Sequence, residues 1–181
     1  SVTSTATSNV VNVNDAPTGT VTISGTAEED QTLTASNTLA DEDGMGTVSY
    51  QWLRDGQTIS GATGETYTLT QADVGTAITV QASYTDQQGT DESVTSTATS
   101  NVVNVNDAPT GNVTISGTAE EDQTLTASNT LADEDGLGTV SYQWQRDGQA
   151  ISGATGDSYT LTQADVGTAI SVQASYTDQQ G

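Results

Sequence analysis

"TVSYQWLRDG", residues 47–56, decides how this chain folds. Val48, Tyr50 and Trp52 alternate with Ser49, Gln51 and Leu53, so a strand of this sequence has one apolar face and one outward face. "RDG" then supplies a turn. The stretch returns at residues 139–148 with Gln145 in place of Leu53, a change that lands on the outward face. Sliding the whole chain by 92 residues sets Pro17 on Pro109, Trp52 on Trp144 and Tyr84 on Tyr176, with seven differences over the 89 overlapping positions. Such a period is too long for one coil of a solenoid and matches one small domain.

Working outward from Trp52, the same alternation recurs. "TYTLT" alternates Tyr67 and Leu69, "TAITVQASYTD" alternates Ile78, Val80, Ala82 and Tyr84, "TVTIS" places Val21 with Ile23, and "QTLTAS" places Leu33 with Ala35. β-Branched Thr fills many outward positions, and "TQADVG" at 70–75 reads as a short helical turn between two strands. About seven strands per unit predict an all-β fold of tandem seven-strand sandwiches. The expected division is residues 1–14 as the last strand of a preceding repeat, 15–106 as a complete repeat, and 107–181 as a second repeat lacking its last strand. On that reading the chain begins in mid-pattern, as a piece of a longer array.

Charge narrows the partners. Asp and Glu number 24 against 2 Lys and Arg, a formal net charge of −22. Nucleic acid and anionic membrane surfaces both require basic patches, so neither is an expected partner. No apolar run reaches the length of a membrane span, so membrane insertion is not expected either. Cys and His are absent, which removes disulfides, thiolate metal sites, the commonest transition-metal ligand and the usual general base. A folded chain this acidic calls for screening salt or bound cations.

The stretch "SYQWLRDGQTISGATGETYTLTQADVGTAITVQASYTDQQG" resembles the immunoglobulin-like, cadherin-like tandem repeats in the extender region of large bacterial RTX-type surface adhesins. The Trp of "YQW" matches the core Trp of an immunoglobulin-like strand C, and "ADVG" is similar to the D-x-G turn before strand F. No Cys pair stands where antibody-type domains have one. The resemblance implies a secreted structural protein of the bacterial cell surface, whose partners are neighbouring repeats of the same protein and whose role is in cell adhesion and biofilm. "VNDAP" also resembles the Asx-rich linker of cadherins, and "DEDG" their D-x-D element, carried here by Asp41/Asp43 and Asp133/Asp135.

Strand-end bookkeeping sends the acids to particular ends of each sandwich. The "NDAP" linker, the "LADEDGMG" loop with Asp41 and Asp43, and the loop beginning at Asp86 belong at one end; "TAEEDQ" with Glu28, Glu29 and Asp30 belongs at the other. Between the repeats, Glu28 to Asp30 are therefore expected to converge with Asn106, Asp107, Asp133, Asp135 and Asp178. Asp15 repeats Asp107, and Glu120, Glu121 and Asp122 repeat the lower acidic loop. Carboxylate and carbonyl oxygens without nitrogen or sulfur ligands suit a hard cation with six to eight oxygens, so Ca2+ is the expected ion. An EF-hand is excluded, because no Glu stands at the required spacing after Gly44.

Catalytic residues are not expected: only Ser, Thr, Tyr and carboxylates are available, and although a carboxylate pair can serve glycoside hydrolysis, both repeats carry these acids almost equally on loops that form the domain ends. A ligand- or carbohydrate-binding module is the alternative, since sandwich loops commonly carry recognition. Trp52, Tyr50, Tyr67 and Tyr84 fall on the inward register, which favours core over sugar platform, and Arg54 and Arg146 are expected to pair with nearby acids. Finally, the missing last strand of the second repeat and the spare strand at residues 1–13 predict head-to-tail strand exchange between chains.

Overall fold

Each alternating stretch around Trp52 is a strand in the computed structural model of the chain, which describes residues 1–180. The structure is nearly all β. It divides into two compact units, Ser1–Val105 and Asn106–Gly181.

The first unit holds β1 (Val21–Ser24), β2 (Thr32–Asn37), β3 (Ser49–Arg54), β4 (Gln57–Thr58), β5 (Thr66–Thr68), β6 (Ile78–Thr85) and β7 (Asp91–Thr95). They form two antiparallel sheets, ordered β1-β2-β5 and β4-β3-β6-β7. Trp52 stands opposite Val80 in the β3–β6 ladder, and both are fully buried. Ile78, Val80, Ala82 and Tyr84 of β6 meet Leu33 and Ala35 of β2 in one core, so the period-two pattern set the inward face of both sheets. The Trp52 indole N–H donates to the Gly64 carbonyl at 2.9 Å, which satisfies its one polar atom inside the core.

"TQADVG" forms a 3₁₀ turn at Gln71–Asp73. Asp73, fully buried, is its anchor. The carboxylate accepts from Arg54 Nε at 2.8 Å, Tyr67 Oη at 2.8 Å, and the Thr70 N–H and hydroxyl at 2.9 and 3.0 Å. Burial pushes the Asp73 carboxyl up, but these donors outweigh it and hold the group below the usual carboxylate range. Arg146 and Asp165 repeat the ion pair in the second unit, so both arginines pair with acids as expected.

The stretch "ESVTSTATSNVVNV", residues 92–105, reads from sequence as the single last strand of the complete repeat, but it divides into two parts. β7 ends at Thr95, where Ser96 N–H donates to Val80 O and the Ser96 hydroxyl accepts from Val80 N–H. Thr99 does the same at Ile78. Three residues on this strand thus oppose two on β6, and the extra residue bulges the chain away from the ladder. Beyond the bulge Val102 bridges Val74 and Val103 bridges Glu28, both in parallel. The segment so closes the far end of the sandwich between its two sheets, with Val102 buried.

The second unit repeats the design with β8 (Val113–Ser116), β9 (Thr124–Asn129), β10 (Ser141–Arg146), β11 (Gln149–Ala150), β12 (Ser158–Thr160) and β13 (Ile170–Ser175). Its sheets are β12-β9-β8 and β11-β10-β13. Trp144 stands opposite Val172, as Trp52 stands opposite Val80. A shift of 92 carries residue 90 to 182, so β7 itself has no counterpart among the described residues. Consequently Ile170, Val172 and Ala174 are only half-buried, whereas the matching Ile78, Val80 and Ala82 are fully buried. Residues 1–14 carry no strand and are exposed throughout. No helix among the described residues is long and apolar enough to cross a membrane.

Candidate metal centre

The linker end of the first unit is organised by the loop Asp41–Gly44 between β2 and β3. Asp41 Oδ1 accepts from the Asp43 N–H at 2.8 Å, and the Gly44 N–H donates back to the Asp41 carbonyl at 3.2 Å, so the loop is an Asx-stabilised turn. Gly44 takes the left-handed conformation that the turn requires, at φ 87°. Asp43 then reaches out of the turn: its Oδ2 accepts from the N–H of Asp15 at 2.8 Å. One carboxylate thereby ties the incoming linker to the loop. A second tie runs from Asn14 Nδ2 to Glu92 Oε1 at 2.9 Å.

Tyr84, the last inward residue of β6, brings in the third element. Its hydroxyl donates to Asp41 Oδ2 at 2.6 Å. Desolvation pushes this phenol up to about 12, with the Asp41 carboxylate next in effect and the charges of Glu92 and Asp86 adding to it. Asp86 opens the loop after β6 and is buried. Its Oδ1 accepts from the N–H groups of Gln88 and Thr90, both at 2.8 Å. Thr90's backbone bond is the main reason that this carboxyl lies below its usual range. Asp86 Oδ2 is buried and has no hydrogen-bond partner.

The second unit builds the same arrangement from the repeated residues. Asp133 Oδ1 accepts from Asp135 N–H at 3.0 Å, and Asp135 Oδ2 accepts from the N–H of Asp107 at 2.7 Å. Tyr176 donates to Asp133, and that hydrogen bond, with desolvation and the charges of Asp178 and Asp135, pushes the phenol up to about 12. Asn106 Nδ2 donates to the Asp107 carbonyl at 3.0 Å. Asn106, Asp107, Pro109, Asp133, Tyr176 and Asp178 line a cleft of about 430 Å³. Asp135 Oδ1 is buried without a hydrogen-bond partner.

Of the sequence-predicted residues, each unit therefore gathers one linker acid, two loop acids and one acid after the sixth strand. They are Asp15, Asp41, Asp43 and Asp86 in the first unit, and Asp107, Asp133, Asp135 and Asp178, with Asn106, in the second. Glu28, Glu29 and Asp30 stand at the other end of β1 and β2, beside the closing segment. Glu29 N–H donates to Val103 O at 2.9 Å, and its carboxylate accepts from Val105 N–H at 3.3 Å. Asp30 makes the turn into β2 with a left-handed φ of 62°. Glu120 to Asp122 occupy the matching turn, where all three are exposed.

Tyr84 and Tyr176 are the members of the site that the sequence pattern hid. Their inward register marks them as core, yet each points its hydroxyl at the acidic loop. The "SYTD" spacing, which sets the phenol two residues before Asp86 and Asp178, is the signal that could have found them.

Chemically, the side chains gathered at each linker end are carboxylates and a phenol, with no histidine or cysteine among them. A buried carboxylate oxygen without a donor, as at Asp86 Oδ2 and Asp135 Oδ1, is a group that a hard cation could satisfy. No protein-family model matches the chain, and no curated protein is significantly similar to it in sequence.

Proposed function

We propose that this chain is part of the stalk of a large, secreted bacterial surface adhesin. In this reading its two units are tandem immunoglobulin-like repeats, and Ca2+ bound at their linker ends stiffens the joints so that a distal adhesive domain is held away from the cell. Two features support it: near-identical repetition of a whole domain, and the same acidic arrangement around both incoming linkers. The observation that carries the ion is the buried carboxylate oxygen without a hydrogen-bond partner at each end, Asp86 Oδ2 and Asp135 Oδ1. Asp43 and Asp135 would serve doubly, one oxygen on the linker N–H and the other on the cation, so that ion binding and linker orientation become one event.

Both tryptophans are fully buried, which leaves neither indole as a platform for a sugar ring. That weakens the reading as a carbohydrate-binding module.

Calcium at a hundredfold excess over its dissociation constant stabilises the folded state by about 2.7 kcal/mol. For a domain of this size that is a rise in melting temperature on the order of 10 °C. Thermal melts in millimolar Ca2+ and in EDTA should show that rise, and small-angle scattering should show a narrower distribution of lengths with Ca2+. Asp43→Asn together with Asp135→Asn should abolish both responses. Melts and scattering that are identical in Ca2+ and EDTA would overturn the metal reading.

A further inference from the structure

The differences between the repeats include Thr20 against Asn112, and that exchange creates Asn112-Val113-Thr114, an N-x-T sequon. None of the other asparagines has Ser or Thr two residues on. The fold does not call for an amide at this place. In the first unit Thr20 N–H donates to Thr38 Oγ1 at 3.2 Å and Thr38 N–H donates to Thr20 O at 2.9 Å. In the second, Asn112 N–H donates to Thr130 Oγ1 at 3.1 Å and Thr130 N–H donates to Asn112 O at 2.9 Å. The backbone is held the same way by either residue. Asparagine gives up the contact between the Thr20 and Thr38 hydroxyls, at 3.4 Å, and is the poorer residue beside a strand. Its side-chain amide makes no hydrogen bond among the described residues.

Asn112 immediately precedes β8, and both Asn112 and Thr114 are exposed while Val113 between them is half-buried. Alternation along the extended chain puts Asn112 and Thr114 on one face, so the amide and the hydroxyl of the sequon look the same way into solvent. The Thr114 hydroxyl shares a hydrogen with the Ser128 hydroxyl at 2.8 Å, which holds it beside the strand. β8 has β9 on one side and no strand on the other among the described residues. β1 likewise has β2 alone, so the open edge belongs to the repeat itself. An enzyme can reach the backbone of residues 112–114 from that edge without unpairing a ladder.

We propose that Asn112 is an acceptor for N-linked glycosylation, from a sugar activated as a phosphate ester at its anomeric carbon. The bond from that carbon to the phosphate oxygen breaks, and a bond from it to Asn112 Nδ2 forms. The phosphate leaves with the electron pair, and one amide proton passes to a base of the transferase. Attached where β8 begins, the glycan is a bulky, hydrated group over the open edge and obstructs pairing of that edge with another chain. The first unit, with Thr20 at this place, lacks the site, so two otherwise matching repeats differ at one edge. The assignment needs neither the metal nor the stalk, so it stands or falls apart from both.

The test incubates the folded chain with a soluble asparagine-modifying glycosyltransferase and UDP-glucose, and in a second arm with a membrane oligosaccharyltransferase and a lipid-pyrophosphate-linked glycan. Intact mass and peptide mapping read both arms. A single glycan per chain, on the peptide that contains Asn112, is expected in at least one arm, and the arm that responds names the donor. Asn112→Gln and Thr114→Ala should each accept none, with unchanged tryptophan emission as the check on folding. Thr20→Asn should accept a glycan on each unit, because it builds the same sequon at the equivalent edge. A folded wild-type chain left unmodified in both arms would overturn the proposal, whether or not the urea-unfolded chain is modified. So would a glycan that persists in Asn112→Gln.

Discussion

Replacing Asp73 by Ala should lower the stability of the first unit by about 3 kcal/mol, read by urea denaturation with Trp52 emission in a Trp144→Phe background. The size follows from what the carboxylate holds. It lies wholly inside the fold and takes hydrogen bonds from Arg54, Tyr67 and both polar groups of Thr70. Arg54 is 31% exposed at its side chain, so water recovers part of its loss, and the ion pair alone is the smaller share of the cost. The larger share is the part-buried Tyr67 hydroxyl and Thr70 N–H left without an acceptor. Asp73→Asn keeps the shape but turns an amide towards donors, so it should recover little.

Acid should reveal the same network in the second unit. Burial raises the Asp165 carboxyl, but donors from Thr162, Arg146 and Tyr159 outweigh it and bring the group down to about 2. A carboxyl depressed on folding contributes stability above its unfolded value near 3.8, and that contribution is lost as pH falls towards 2. The stability gap between wild type and Asp165→Ala should therefore be full at pH 6 and shrink steadily below about pH 4. A gap that is flat down to pH 2 would show that the charge of Asp165 does not matter.

How far the sequence carries this fold depends on which interactions are local. Period-two alternation places Trp52, Val80 and Leu33 on inward faces because a strand's side chains must alternate, whatever it pairs with. The 3₁₀ turn is legible because Thr70 and Asp73 cap each other within four residues. At residues 96–103 the same logic fails. The bulge forms because the Ser96 and Thr99 hydroxyls compete for the β6 N–H groups, and the following residues turn to parallel partners at Glu28 and Val74. No short pattern announces parallel partners that stand 28 and 75 residues away in sequence. Loop acids were legible as a group, since the repeat and the strand ends fix which loops share an end. The tyrosine hydroxyls were not, because an inward ring and an outward-reaching oxygen coexist on one side chain.

The second large effect contrasts one substitution at two places in identical sequence. Val102→Asp removes a buried side chain worth about 1.5–3 kcal/mol and sets a carboxylate against the apolar end of the sandwich, so the first unit should lose at least about 3 kcal/mol. Val10→Asp, at its exposed twin, should change stability by no more than about 0.5 kcal/mol. For a unit of this size the first change lowers the melting temperature on the order of 15 °C and the second leaves it in place. Added peptide of the wild-type sequence of residues 1–13 should then restore the Val102→Asp unit by mass action, because it offers the same side chains to the same slot. Restoration by that peptide, and none by the peptide carrying Val10→Asp, would show that closure of the sandwich depends on thirteen residues that need not belong to the same chain. Equal and small effects of the two substitutions would instead mean that the sandwich holds without its closing segment.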